Sequence, residues 1–149
     1  MEMVLFIGIQ ATGKSECFKQ HFYHTHIRLN LDMLKTRNRE RLLIEACIKA
    51  KQPFVVDNTN PTVQDRKKYI DIANEAGFRI IGYYFQSVVS DSILRNDSRD
   101  DIHRVPDTAI LSTYKKLELP SYTEGFHELK YVSISENFTF TVEEYKDEV

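Results

Sequence analysis

The sequence predicts an α/β fold in which helices cover both faces of a mainly parallel central sheet of four to five strands, with a helical lid. Two observations carry that expectation. Short apolar runs at 3–7, 27–29, 53–56, 79–85 and 130–134 alternate with longer stretches of helical spacing. The first run leads directly into a glycine-rich turn and then a helix-compatible segment at 14–24, the order found where a buried parallel strand feeds a helix.

The remaining elements follow in order. The segment 37–51 places Leu42, Leu43, Ala46 and Cys47 on one helical face and leaves Arg39, Arg41 and Glu45 to solvent. Asn60-Pro61-Thr62 starts the next helix, with Thr62 or a neighbour as its cap, and Gly77 is placed to end it after Ala76. A further helix is expected over 90–96, and another from about Pro106 that stops before Leu119-Pro120. Beyond Ser135, Phe138, Phe140 and Val142 alternate with threonines, an edge-strand pattern ahead of an expected frayed acidic end at 143–149.

Composition narrows the class. A chain of 149 residues is read as one domain, 1–149, large enough to bury a real core. The formal net charge is −2, and setting aside Glu136 and the residues 143–149 leaves 19 basic against 17 acidic residues, so the body is no polybasic coat. Cys17 and Cys47 fall in apolar helical patterns and are expected to be reduced core thiols. Apolar runs stop short of the ~20 residues that span a bilayer, so no membrane association and a cytoplasmic location are expected.

The chemistry begins at Gly8-Ile9-Gln10-Ala11-Thr12-Gly13-Lys14-Ser15, which fits G-x-x-x-x-G-K-[S/T] at every fixed position. The glycines let the backbone curl into a concavity of N–H donors, and the helix that follows adds its positive dipole end, so the loop is read as a nucleoside triphosphate site. Lys14 would reach the β and γ phosphates and Ser15 would bind Mg²⁺.

In an open parallel sheet ligands collect beyond the carboxyl ends of the strands. There lie Asn30-Leu31-Asp32 and Asp57-Asn58-Thr59-Asn60, which bring two carboxylates towards the phosphates. Asp32 is either a general base for an acceptor hydroxyl or a cap of the helix after it. Asp57 is either a Mg²⁺ ligand or a hydrogen-bonded strand-end carboxylate. Arg95, Arg99 and Arg104, interleaved with Asp97, Asp100 and Asp101, read as a lid at about 95–105 or as a solvated, ion-paired helix end. His21, His24 and His26 straddle a helix end and a strand start, and no Cys or carboxylate completes a metal set.

Taken together, the phosphate loop, Leu29-Asn30-Leu31-Asp32, Val56-Asp57-Asn58-Thr59-Asn60-Pro61, Arg95-Asn96 with Arg99, Val105-Pro106, Tyr114-Lys115-Lys116, Pro120 and Glu124-Gly125-Phe126 resemble the 5′-hydroxyl polynucleotide kinase module of polynucleotide kinase-phosphatases. The resemblance implies a P-loop kinase that uses ATP and Mg²⁺. It implies Lys14 and Ser15 as ATP and metal ligands, Asp32 as the base towards the 5′-hydroxyl, Arg99, with Arg95 beside it, on the phosphates, and Asp57 with Asn58 as the strand-end polar motif. Where the family often has Asn-Arg-Asp this chain has Asn30-Leu31-Asp32, and Lys35 stands where some members carry an arginine near the acceptor. Lys35 and Asn58 are therefore the candidate acceptor contacts. An Asp-x-Asp-x-Thr phosphatase motif is absent, so a phosphatase or ligase would be a separate partner. The leading expectation is transfer of the ATP γ-phosphate to the 5′-hydroxyl end of RNA or DNA. The alternatives are a small-molecule acceptor, such as a nucleoside or sugar, and a non-catalytic ATP-binding regulator.

Overall fold

The computed structural model describes residues 1–135 and 137–146. Among these, six strands form one sheet in the order β2-β3-β1-β4-β5-β6. The strands are β1 Glu2–Ile7, β2 Ile27–Leu29, β3 Phe54–Val56, β4 Arg79–Phe85, β5 Glu128–Ile134 and β6 Phe140–Glu144. The first five are parallel, and β6 pairs antiparallel with β5, from Lys130 opposite Glu144 to Ile134 opposite Phe140. The sheet is thus one strand larger than the four to five expected, the addition being the edge strand that the alternation after Ser135 predicts. Glu143 and Glu144 belong to β6, and Tyr145 is buried with its N–H donating to the Leu129 carbonyl, so the expected fraying does not hold over 143–146. Residues 147–149 lie outside the described residues.

Burial explains the layering. Every residue of β1 after Glu2 is buried, and its side chains alternate between two clusters. Met3, Leu5 and Ile7 pack on one face with Ile44 and Cys47 of helix α3 (Arg37–Ala50) and with Tyr69, Ile70 and Ala73 of helix α4 (Val63–Glu75). Val4 and Phe6 pack on the other face with Cys17 and Phe18 of helix α1 (Lys14–His21) and with Phe22. Helix, sheet and helix therefore form three layers, as expected. Cys17 and Cys47 are buried free thiols, and burial, with help from the Asp57 charge, pushes Cys17 up to about 12.

The phase of α3 differs from the expectation. Glu40, Ile44 and Cys47 face the sheet, whereas Leu42, Leu43 and Ala46 are exposed. The cause is Glu40, whose carboxylate is 3% exposed and accepts hydrogen bonds from the Tyr69 hydroxyl at 3.0 Å and from Arg37 at 3.1 Å. That anchor turns the helix away from its own leucines. Thr62 caps α4 by accepting the Asp65 N–H, and Gly77, at φ +73, follows the Ala76 C-cap, both as expected. The short helix α2 (Leu31–Leu34) and a 3₁₀ turn at Tyr122–Glu124 are additional.

Chain order places the site. After β1 the chain moves outward to β2, returns to β3 beside β1, and then crosses to β4 on the other side. The reversal opens a crevice at the carboxyl end of β1. Helices α5 (Val89–Asp97) and α6 (Asp107–Lys116) carry the loop that borders it. Three residues of the expected lid, 95–97, are still helical, and the loop proper is pinched shut at its base by buried Asn96, which donates to the Val105 carbonyl at 2.6 Å and accepts its N–H at 3.0 Å.

Candidate active site

The glycine loop is tied to its surroundings at four successive residues. Gly8 N–H donates to the Thr59 carbonyl at 3.0 Å, and Ile9 N–H to Ser87 Oγ at 3.1 Å. Gln10 donates through its side chain to Thr113 of α6 at 3.0 Å, and the Ala11 carbonyl accepts from Arg95 at 3.1 Å. Gly13, at φ +91, precedes α1 without any side-chain cap, so the first N–H groups of α1 stay open towards the cleft. Ala11 holds φ +61, a conformation that costs an L-residue about 1 kcal/mol or more and persists because its neighbours fix it.

Lys14 folds back over the loop. Its Nζ donates to the Gly8 carbonyl at 3.0 Å and the Ile9 carbonyl at 2.6 Å. Burial pushes its pKa down to about 8; Asp57 opposes that fall most, Arg99 adds like-charge repulsion, and Asp32 opposes it again. Arg99 is likewise held below its ordinary range by burial, against the pull of Asp32. Lys14, Asp57, Arg99 and Asp32 thus share one field, although they come from four separate parts of the chain.

Asp32 sits in the first turn of α2, and the helix is not capped by it. Asn30 caps α2, its Oδ1 accepting the Met33 N–H at 3.0 Å while its Nδ2 donates to the Asp57 carbonyl at 2.7 Å. Asn58 accepts the Leu31 N–H at 3.0 Å and donates to Glu40 at 3.2 Å. Each amide end of Asn58 thus makes one bond within the protein, tying α2 to α3, and leaves one N–H and one lone pair for an acceptor contact. Lys35 ends α2 at φ +74 with an exposed side chain, three residues beyond Asp32.

Ser15 Oγ donates to Asp57 Oδ2 at 3.2 Å, and Asp57 is 2% exposed. Arg28 of β2 spans the pair, with Nε 2.8 Å from Asp57 Oδ2 and Nη2 2.9 Å from Ser15 Oγ. A hydroxyl and a carboxylate oxygen are the ligand types Mg²⁺ takes, so the two side chains fit that ion chemically, although Arg28 engages both here. His26 Nε2 instead lies 2.8 Å from Glu2, away from these residues in sequence and partner. Among the described residues no group of three or more His, Cys, Asp or Glu side chains is placed to hold a metal by itself.

Residues 3–120 match the family model of the AAA domain. The chain belongs to that family. A bifunctional polynucleotide phosphatase/kinase of Schizosaccharomyces pombe is 32% identical over 132 residues, 84% of this chain and 32% of that protein, so the chain spans about a third of the relative's length. In fold, the chain resembles Chaetomium thermophilum Kti12 in complex with ADP-AlF3 at a TM-score of 0.67, with 13% identity and 88% of each chain covered. It also resembles a gluconokinase from Sinorhizobium meliloti 1021 at a TM-score of 0.60, with 17% identity, 88% of this chain and 81% of that one. This AAA-family domain therefore has a P-loop kinase fold, and among its described residues no helix is long and apolar enough to cross a membrane.

Four site residues of the domain carry little sequence signal. Arg28 lies inside a three-residue strand, Ser87 and Thr113 reach the loop through tertiary hydrogen bonds, and Glu40 reads as one more charge on a polar helix. The hydrogen bonds that tie them to the site span 13 to 103 positions along the chain.

Proposed function

We propose that residues 1–149 form a single kinase domain that transfers the γ-phosphate of ATP, with Mg²⁺, to the 5′-hydroxyl end of a polynucleotide. The observation that carries this reading is the placement of Asp32: Asn30 and Asn58 fix the turn that bears it, at the carboxyl end of β2, within the field of both Lys14 and Arg99. A carboxylate beside two phosphate-binding cations is what transfer to a hydroxyl needs. The similarity to the fission yeast phosphatase/kinase supports a nucleic acid acceptor.

Asp32 accepts the acceptor O–H proton as that oxygen bonds to the γ-phosphorus and the bond from phosphorus to the ADP oxygen breaks. Lys14 leaves the Gly8 and Ile9 carbonyls and joins the open N–H groups of the loop on the phosphates. Arg99 and Arg95 neutralise charge from the lid side. Ser15 and Asp57 would hold Mg²⁺, which would supply charge neutralisation for the triphosphate.

The decisive experiment offers labelled ATP and Mg²⁺ with 5′-hydroxyl DNA and RNA oligonucleotides beside a panel of nucleosides and sugars. Label should appear on oligonucleotides, with acceptor affinity falling as salt rises. Asp32→Asn should retain ATP binding and lose turnover by about 10²-fold or more. Label on a sugar or nucleoside alone would favour the small-molecule reading, which Leu31 and the shared gluconokinase fold also fit. ATP binding with no labelled acceptor would leave a regulator.

A further inference from the structure

Arg28 has no part in the chemistry above, yet its guanidinium bridges the two oxygens assigned to the metal. It reaches them from β2, where it is paired in register with Val55, a residue packed on the α1 side of the sheet. Its side chain therefore points to the face on which Ser15 begins α1. The contacts are two-ended, one nitrogen to each oxygen, and the group is only partly exposed, at 27%.

We propose that Arg28 is a resident cation that holds the divalent-metal position when no nucleotide is bound, so that the metal enters only together with the triphosphate. This rests on Ser15 and Asp57 being the metal pair. Three physical points support it. Asp57 is almost fully buried, and a buried carboxylate without a positive or hydrogen-bonding partner is costly. Arg28 supplies that partner and keeps Ser15 and Asp57 together. Free Mg²⁺ would gain only two protein oxygens here, gives up its water reluctantly, and would have to expel a charge of its own sign. The phosphates of a nucleotide bring further oxygens and enough negative charge to reverse that balance.

The test measures Mn²⁺ binding to the folded, nucleotide-free protein by the loss of free-Mn²⁺ EPR signal, for wild type, Arg28→Met and Arg28→Lys, with Asp57→Asn as the site control. Arg28→Met should bind Mn²⁺ at least about tenfold more tightly than wild type, because a like charge within a few ångströms is gone. Arg28→Lys should stay near wild type, since it keeps a cation. Thermal melts give a second readout: Mn²⁺ should raise the melting temperature of Arg28→Met by more than that of wild type. Equal Mn²⁺ affinities for wild type and Arg28→Met, in proteins that both bind Mn²⁺ once ADP is added, would overturn the role of Arg28 and leave the metal pair standing. Identical behaviour of the Lys and Met variants would overturn it too. If ADP-dependent Mn²⁺ binding survives Asp57→Asn unchanged, the metal pair itself is misassigned, and the proposal falls with it.

Discussion

Lys14 gives the site a measurable proton balance. In the nucleotide-free protein burial holds its pKa at about 8, against an ordinary 10.5. A triphosphate placed on the loop favours the ammonium and raises that pKa, so binding is coupled to protonation wherever the free protein has lost the proton. At pH 7 only about a tenth of free Lys14 is neutral, and nucleotide binding should take up about 0.1 proton. At pH 9 about nine-tenths is neutral, uptake should approach 0.9 proton, and affinity should be roughly tenfold below its plateau at and below pH 7. The direction follows from the depressed value: affinity is complete below the free-state pKa and falls as pH rises through it. Titration calorimetry of a non-hydrolysable ATP analogue, at pH 7 and pH 9 in two buffers of different ionisation enthalpy, measures both quantities. Lys14→Met should bind weakly with no such pH dependence. Proton uptake near zero at pH 9, with wild-type affinity flat from pH 7 to 9, would refute the coupling.

Two further expectations concern the frame that holds the site. A Cβ at Gly82, in the strand between β1 and β5, would lie 2.5 Å from Leu129 Cδ2 and 2.8 Å from the Phe126 ring, so Gly82→Ala should cost about 1–3 kcal/mol and lower the melting temperature by several degrees, while a melt like wild type would show that the core yields there. Glu40→Gln keeps the shape of a buried carboxylate but turns an N–H towards donors, so it should lose about 1–3 kcal/mol of stability and, by loosening Asn58 and the Leu31 N–H, lower turnover more than ATP affinity; steady-state kinetics beside calorimetry separates the two effects.

How far the sequence reveals this fold depends on whether burial is signalled by apolar residues. The strands of the parallel sheet do so, because strands covered on both faces must be nearly continuous in Val, Ile, Leu and Phe, and the helices framed by Pro61-Thr62, Gly77 and Pro106 are marked by backbone chemistry. The rotation of α3 is invisible to the same logic. A reading that places Leu42 and Leu43 inward puts Glu40 outward, yet with 100° per residue the buried residues Glu40, Ile44 and Cys47 centre close to Glu40, about 200° from Leu42. Arg37 one turn before it, with Tyr69 and Asn58 from distant parts of the chain, makes a buried carboxylate tolerable. Helix α2 is hidden for another reason: four residues are too few for a period to show.

The site divides along the same line. Its phosphate-facing half is local, since the loop, Lys14, Ser15 and the start of α1 occupy consecutive positions whose spacing is dictated by backbone geometry, and it can be read from eight letters. The half around Asp32 is an arrangement of turns. Asp32 is positioned by Asn30 gripping the Asp57 carbonyl and by Asn58 gripping the Leu31 N–H, and Asn58 is itself held from α3. A motif can name the two asparagines but not the direction in which each amide is spent. That is why the hydrogen bonds of Asn58 to the Leu31 N–H and Glu40, and the bridge of Arg28 between Asp57 and Ser15, leave no mark in the sequence. On the kinase reading proposed above, Lys35 and the exposed edge of α2 are the groups left to meet an acceptor, and the fold as a whole, shared with a gluconokinase, does not choose it.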